Sequence, residues 1–222
     1  MKAVRIWDLP TRLFHWLLAA TIIGLIVTGK VGGNAMIWHI RLGYAVFALL
    51  LFRLLWGFVG GYWSRFATFL PTRSRWARYV EAENRTGEFA GHTPLGALSV
   101  IAMLIVFGAQ LATGLFADDE IAFSGPLTAL VSSDTVYSAT DFHKDIGQWL
   151  VIVLTALHVL AIAFYRVFRK KPLTRAMVVG DQLLSEPTHA SRDTAVTRLQ
   201  ALVLLCLAAA IVYWVVQLGN SS

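Results

Sequence analysis

Long apolar runs separated by short polar connections dominate the chain. The runs 13–29, 89–117, 146–165 and 199–222 contain no Asp, Glu, Lys or Arg. A hydrocarbon core of roughly 30 Å takes about 20 mostly apolar helical residues, so each run is of a length to cross, or nearly cross, a bilayer. A fifth run, 37–60, is equally apolar but carries Arg41 and Arg53. Membrane helices hold such charges only where they face protein, a cofactor or the interface. The pattern predicts an all-α integral membrane protein with five spans. Asp8 reads as the N-cap of the first span and Pro10 sits in its first turn, where a missing backbone N–H costs nothing. Residues 1–180 carry the first four spans, 181–198 a polar linker and 199–222 the fifth. The polar stretch 176–198 is expected to be a mobile connection.

Composition supports this picture. Hydrophobic residues make up 57% and charged residues 14%, with mean hydropathy +0.62. A soluble domain averages roughly 45–50% apolar and about 25% charged, so intrinsic disorder and a disulfide-stapled secreted domain are excluded. Cys206 is the single cysteine. There is no disulfide, no Cys-rich zinc or iron–sulfur set and no C-x-x-C-H for covalent haem, so a redox cofactor must be held without sulfur. Neither a Rossmann nor a Walker motif occurs, and no repeat or low-complexity tract is present.

The net charge of +6 serves topology rather than nucleic acid, for which no role is expected. Lys2, Arg5 and Arg12 precede the first span, and Arg65, Arg73, Arg75, Arg78 and Arg85 lie between the second and third. A third basic set runs from Arg166 to Arg198. The opposite connections hold Lys30, and then a stretch with Asp118, Asp119, Glu120, Asp134, Asp141 and Asp145 against Lys144. The positive-inside rule places the N-terminus in the cytoplasm and the C-terminus on the outer side. Lys2 and Arg5 before an apolar run resemble a signal peptide, but no small-x-small cleavage site follows Gly29, so the run is read as a span.

Four of the six histidines fall at two depths. His15 lies in the first span near the cytoplasm. His39 opens the second span, and His143 the fourth, at the outer side. His158 follows His143 by 15 residues, about 22 Å of helical rise and an offset of about 60°, so both can face one bundle interior. Matching depths pairs His39 with His143 and His15 with His158. Facing imidazoles from two helices suit a haem iron, which accepts one axial nitrogen from each side, whereas zinc takes about four ligands. His39-Ile40-Arg41-Leu42-Gly43 and His143-Lys144-Asp145-Ile146-Gly147 are both H-x-x-x-G. Glycine at i+4 on the same helix face leaves room for a porphyrin against the backbone. His15 has Ala19 at that offset, and His158 has Ile162 with Ala161 beside it. A lone membrane histidine commonly does no more than bond a neighbouring helix, but four in matched pairs point to two six-coordinate haems.

Arg41 and Arg53 are candidates for haem propionates, since guanidinium groups bind carboxylates bidentately. Arg12 and Lys144 read more readily as snorkelling cations. His92, in Gly91-His92-Thr93-Pro94, is either a proton relay to quinone or a simple cap. His189 is assigned no role. The acidic outer stretch either steers a basic cytochrome or is a solvated loop.

Three segments carry a family resemblance. Trp7-Asp-Leu-Pro-Thr-Arg-Leu-Phe-His15-Trp16, Gly43-Tyr-Ala-Val-Phe-Ala-Leu-Leu-Leu-Phe-Arg53-Leu-Leu-Trp-Gly57 and Gly91-His-Thr-Pro-Leu-Gly96 resemble the bacterial cytochrome b561 family. Within it they are similar to the branch of nickel–iron hydrogenase b-type cytochrome subunits. The likeness runs through Leu157-His158 to Arg175-Ala-Met-Val-Val-Gly180, roughly residues 4–180. It implies a four-helix bundle binding two b haems, with ligands that fall on His15, His39, His143 and His158. It also implies exchange with membrane quinone and with a periplasmic redox partner, a hydrogenase or a c-type cytochrome. The fifth span is outside the shared core.

The sequence thus predicts a four-helix transmembrane dihaem bundle plus a fifth transmembrane helix, embedded in lipid. It passes electrons between quinone or quinol and a periplasmic protein, and a homo-oligomer is compatible with it. Two other readings stand beside this one. One is a self-contained quinone oxidoreductase acting on a small molecule such as superoxide, and the other is a transporter whose membrane histidines bind metal or relay protons.

Overall fold

A computed structural model describes residues 1–81, 89–185 and 187–220. Arg85, counted among the basic residues above, lies outside the described residues, as do the last two positions of the fifth span. The chain is predominantly helical, about three quarters of it. Strand β1 (Lys2–Arg5) precedes α1 (Leu9–Val31) and α2 (Met36–Val59). The short α3 (Phe66–Phe69) and α4 (Arg73–Glu81) follow, then α5 (Pro94–Phe116). Next come α6 (Ser133–Asp141), a π-helical segment (Phe142–Gly147) and α7 (Gln148–Val167). Helix α8 (Leu173–Val179), strand β2 (Asp181–Leu184) and α9 (Ala195–Asn220) complete the chain.

Among the described residues five helical runs are long and apolar enough to cross a membrane: Leu9–Val31, Gly33–Val59, Pro94–Phe116, Ser133–Val167 and Ala195–Gly219. Their outer faces are apolar and exposed, as at Ile23, Ile105, Leu160 and Val203. That suits helices whose backbone groups are paired internally and whose side chains meet lipid. The chain is a multi-pass membrane protein whose candidate spans are all helices. The fourth run starts earlier than its apolar stretch suggests. Asp134, Asp141, Lys144 and Asp145 interrupt the hydropathy signal, but Ser132 accepts a hydrogen bond from the Thr135 amide (3.4 Å) and starts the helix there.

The chain divides into two compact units. The first comprises Met1–His15, Arg53–Ala102 and Ala156–Leu204. Its centre is Asp8, fully buried yet satisfied on both carboxylate oxygens. Oδ1 accepts the Thr11 amide (2.8 Å) and Trp56 Nε1 (3.2 Å). Oδ2 accepts the Gly61 amide (3.1 Å) and Ser64 Oγ (2.7 Å). The Thr11 bond is the N-cap expected for the first span. A buried carboxylate without such partners would cost several kcal/mol.

In the same unit β1 and β2 pair antiparallel, with Lys2 opposite Leu184 and Arg5 opposite Asp181. The Ile6 and Trp7 amides donate to the Gly180 carbonyl (2.9 and 3.0 Å). Gly180 caps α8 at φ 91°, a left-handed conformation that glycine adopts without penalty. Ile6, Trp7, Trp63, Ala90, Ala176 and Leu184 form a small apolar core. Further on, the Ser191 amide donates to the Arg5 carbonyl (2.7 Å) and Ser191 Oγ to the Ile6 carbonyl (2.6 Å). Trp63 Nε1 donates to the His189 carbonyl (2.7 Å). The expected mobile connection over 176–198 is therefore a tied one. Its polar residues signal a loop in the sequence, but their partners lie 126 positions away for His189 and 185 for Ser191 Oγ.

The second unit comprises Trp16–Phe52, Met103–Thr155 and Leu205–Ser222. Ile22, Val46, Leu50, Phe107 and Val151 form its buried core. The π-helical segment lies in this unit. Such segments are rare and gather at functional sites; this one contains His143.

Candidate cofactor-binding sites

In the second unit His39 and His143 face each other with ring centroids 6.2 Å apart and planes at 88°. His39 Nδ1 donates to the Leu25 carbonyl (3.0 Å) and His143 Nδ1 to the Gln110 carbonyl (2.9 Å). A carbonyl only accepts, so Nδ1 carries the proton on both rings and Nε2 is the nitrogen available to a metal. Metal–imidazole bonds of about 2 Å on either side of one ion would separate the ring centres by about 6 Å. A cavity of about 500 Å³ is lined by both rings, within the size range of cofactor pockets. Gly43 also lines it, with open space where a Cβ would stand. The pair and the cavity fit a porphyrin.

Gly147 and Arg41 sit elsewhere. A Cβ at Gly147 would overlap the Gln110 side chain, so this glycine admits α5 and does not line the cavity. Gln110 Nε2 in turn donates to the His143 carbonyl (3.0 Å), supplying a donor to backbone loosened by the π-helical geometry. Arg41 is exposed, its guanidinium 5.2 Å from the Trp38 ring centre. The cations on the cavity wall are Lys30 and Lys144, and Lys30 Nζ donates to Gln148 Oε1 (2.7 Å).

In the first unit His15 and His158 face each other with ring centroids 6.3 Å apart and planes at 52°. Arg53 is buried, its guanidinium 4.8 Å from the Phe66 ring centre and 5.9 Å from that of Phe69. Its Nη1 has no hydrogen-bond partner among the described residues. An orphaned buried guanidinium N–H is a fit for an anionic oxygen such as a propionate. Arg12, by contrast, is held by the Val178 carbonyl (2.6 Å).

His92 packs between Trp7 (4.8 Å between ring centres) and Phe69 (4.5 Å). Burial, aided by the charges of Arg53 and Arg75, holds its imidazole down to about 3. It is a neutral, wedged ring, whereas the sequence suggested a relay or a cap. His189 stacks on Tyr62 at 4.5 Å and 26°. Among the described residues no group of three or more His, Cys, Asp or Glu could hold a bare metal ion. The donor chemistry is thus two imidazoles per site, which suits an iron whose other ligands come from a macrocycle.

Sequence reasoning missed Gln110, Lys30 and the bonds on Nδ1. Gln110 is the one amide side chain in the apolar run 89–117, and that isolation was the available signal.

The family described as prokaryotic cytochrome b561 matches residues 6–180. A probable Ni/Fe-hydrogenase B-type cytochrome subunit of Azotobacter chroococcum mcd 1 is 25% identical, covering 83% of this chain and 90% of the relative. Its counterpart in Azotobacter vinelandii is 26% identical over the same shares. The probable Ni/Fe-hydrogenase 1 B-type cytochrome subunit of Escherichia coli (strain K12) is 24% identical over 69% of this chain and 80% of the relative. No solved structure matches.

Proposed function

Because the chain belongs to the prokaryotic cytochrome b561 family and so is a membrane protein of haem b electron transfer, we propose that it binds two b haems. His39 and His143 ligate one and His15 and His158 the other, and the protein carries electrons between membrane quinone and a periplasmic redox partner. A haem iron with both axial positions taken by imidazoles supplies one-electron transfer and leaves no position for oxygen. The observation that carries the reading is the pair of ring separations, 6.3 and 6.2 Å.

The chain's own residues have separable tasks in this reading. The Leu25 and Gln110 carbonyls fix the tautomers of His39 and His143. Arg53 offers its orphaned N–H to a propionate of the haem in the first unit. Lys30 and Lys144 offer charge to those of the haem in the second, a role given above to Arg41. Gly43 keeps the cavity clear.

The distribution of Lys and Arg supports a cytoplasmic N-terminus. The partner, a hydrogenase or a c-type cytochrome, would then dock outside, at the acidic residues between 118 and 145. Asp118, Asp119, Glu120, Asp141 and Asp145 line an open recess of about 590 Å³ in which Lys144 is the one cation. Such a surface favours a cationic partner face. Asp119 is well suited to hold charge there: bonds from the Phe123, Ala122 and Ile121 amides keep its carboxyl below the usual range. The resemblance of the relatives, named as hydrogenase subunits, supports a hydrogenase as that partner.

The test is haem stoichiometry of the purified chain together with reduction by a quinol. Two haems per chain, both low-spin and quinol-reducible, are expected. A colourless protein, or one haem per chain, overturns the reading. Turnover with superoxide and quinone but no partner protein would favour the self-contained enzyme.

A further inference from the structure

The bonds on the two Nδ1 atoms of the second unit follow one pattern. His39 rests on the Leu25 carbonyl, and the residues after Leu25 are Ile26, Val27, Thr28 and Gly29. His143 rests on the Gln110 carbonyl, and the residues after Gln110 are Leu111, Ala112, Thr113 and Gly114. In each case the accepting carbonyl is followed by threonine three positions on and glycine four positions on. Thr28 Oγ1 donates to the Gly24 carbonyl (2.7 Å) and also to that of Leu25 (3.2 Å), and lies 3.3 Å from His39 Nδ1. Thr113 Oγ1 donates to the Ala109 carbonyl (2.9 Å) and to that of Gln110 (3.1 Å), and lies 3.5 Å from His143 Nδ1.

The glycines explain how an imidazole reaches a helix carbonyl at all. In an α-helix that oxygen already accepts the amide of residue i+4, and side chains at i+4 cover it. A Cβ on Gly29 would stand 3.2 Å from His39 Cε1 and Nδ1. One on Gly114 would stand 2.8 Å from His143 Cε1 and 3.1 Å from Nδ1. Removing the side chain opens the carbonyl to a donor from another helix, and the imidazole fills the opening.

We propose that Thr28-Gly29 on α1 and Thr113-Gly114 on α5 are two copies of one histidine seat, whose four residues are positioning residues for the haem ligands His39 and His143. The inference rests on the ligand pair proposed above and deepens it. Each seat locks Nδ1 as donor, leaves Nε2 for iron and, by drawing on the Nδ1–H, makes the imidazole a stronger electron donor. Neither ring therefore has to reorganise when its iron changes charge. Gln110 completes one seat from the other direction, since its side chain holds the His143 carbonyl (3.0 Å) while its own carbonyl holds the ring.

The test uses the full chain purified with haem, read by redox titration and by the low-spin ferric signals in electron paramagnetic resonance. Gly114→Ala should force the ring off the Gln110 carbonyl. It is expected to weaken haem retention at that centre about 10-fold, raise the reduction potential of that haem and move its low-spin signal, while the other centre keeps both. Gly29→Ala, with the looser contact, should shift the same centre less. Gly108→Ala, where a Cβ meets nothing within 4 Å, should shift neither. Should Gly114→Ala fail to fold, Thr113→Val keeps the shape and deletes the hydroxyl. It should move the same signal, with Thr113→Ser restoring it.

Parental potentials and signals in both Gly114→Ala and Thr113→Val overturn the seat. The ligand pair is checked separately by His143→Leu. Loss of one low-spin signal there supports the pair, and retention of both signals overturns the pair and the seat with it.

Discussion

His15 and His158 hold their imidazole rings 6.3 Å apart although 143 positions separate them in the chain. They sit on α1 and α7, two helices that Lys30 also links through its bond to Gln148 (2.7 Å), so a cofactor clamped between the rings would add a second tie.

The clamp sets the first prediction. His158→Leu is expected to remove about half of the bound haem and to leave the low-spin signal of the His39–His143 centre in place, since six-coordinate iron needs both axial nitrogens. His15→Leu should give the same loss, and the double variant no further loss. Pigment content per chain, measured after extraction, checks all three.

Asp8→Ala strips the shared acceptor from the Thr11 and Gly61 amides, Trp56 Nε1 and Ser64 Oγ. It also leaves buried Arg53 without the negative charge of Asp8. Breaking a buried charged network of this kind costs about 3–5 kcal/mol. A lower thermal midpoint in detergent is expected, with Asp8→Asn falling between variant and parent because it keeps one acceptor oxygen.

His92 gives the protein an acid-sensitive limb. Its imidazole titrates near 3 in the folded chain against 6.5 when free. Between those values the unfolded chain takes up a proton that the folded chain refuses. Stability from this residue is thus complete above about pH 6.5 and declines as pH falls, by up to about 1.4 kcal/mol per unit. His92→Gln should flatten the dependence of the thermal midpoint between pH 7 and 5.

Asp193 fastens the segment before α9. It bonds Arg5 Nη1 (3.1 Å) and Arg198 Nε (2.9 Å). Burial works against its charge, but bonds from Arg198 and the Leu9 amide, with the charges of Arg198 and Arg5, keep its carboxyl below the usual range. The fastening therefore holds above the ordinary carboxylate range and releases only as pH falls through the lowered value. Solvent screening leaves each of these partly exposed pairs a modest share of that fastening. Asp193→Asn should accordingly loosen the segment and speed tryptic cleavage after exposed Arg192 by roughly two- to fivefold.

The legible parts of the architecture were those written in local pattern. Apolar runs without charge mark the helices of 13–29 and 89–117, and Asp8 with Pro10 marks the start of α1. Matching the depths of His15, His39, His143 and His158 suggested the two pairs of facing rings that the structure brings together. The parts that escaped depend on partners distant in the chain. Four-residue strands such as β1 and β2 carry too little periodicity to be seen, and nothing local to Ser191 or His189 points to Ile6 or Trp63. Gly147 shows how one signal has two physical causes. A glycine four positions after a histidine makes room equally for a ring system or for a neighbouring side chain, and only the position of Gln110 decides between them. The same ambiguity hid Thr28-Gly29 and Thr113-Gly114 among ordinary apolar helix residues.

The sheet between Lys2–Arg5 and Asp181–Leu184 has a bearing on biosynthesis. The first strand leaves the ribosome about 180 residues ahead of its mate, on the order of tens of seconds earlier. Until the mate emerges Arg5 lacks Asp181, and Ile6 lacks the carbonyl of Gly180. Chains truncated or stalled before Asp181 consequently display an unpaired strand edge ahead of an apolar helix, a mark that sets unfinished molecules apart from finished ones.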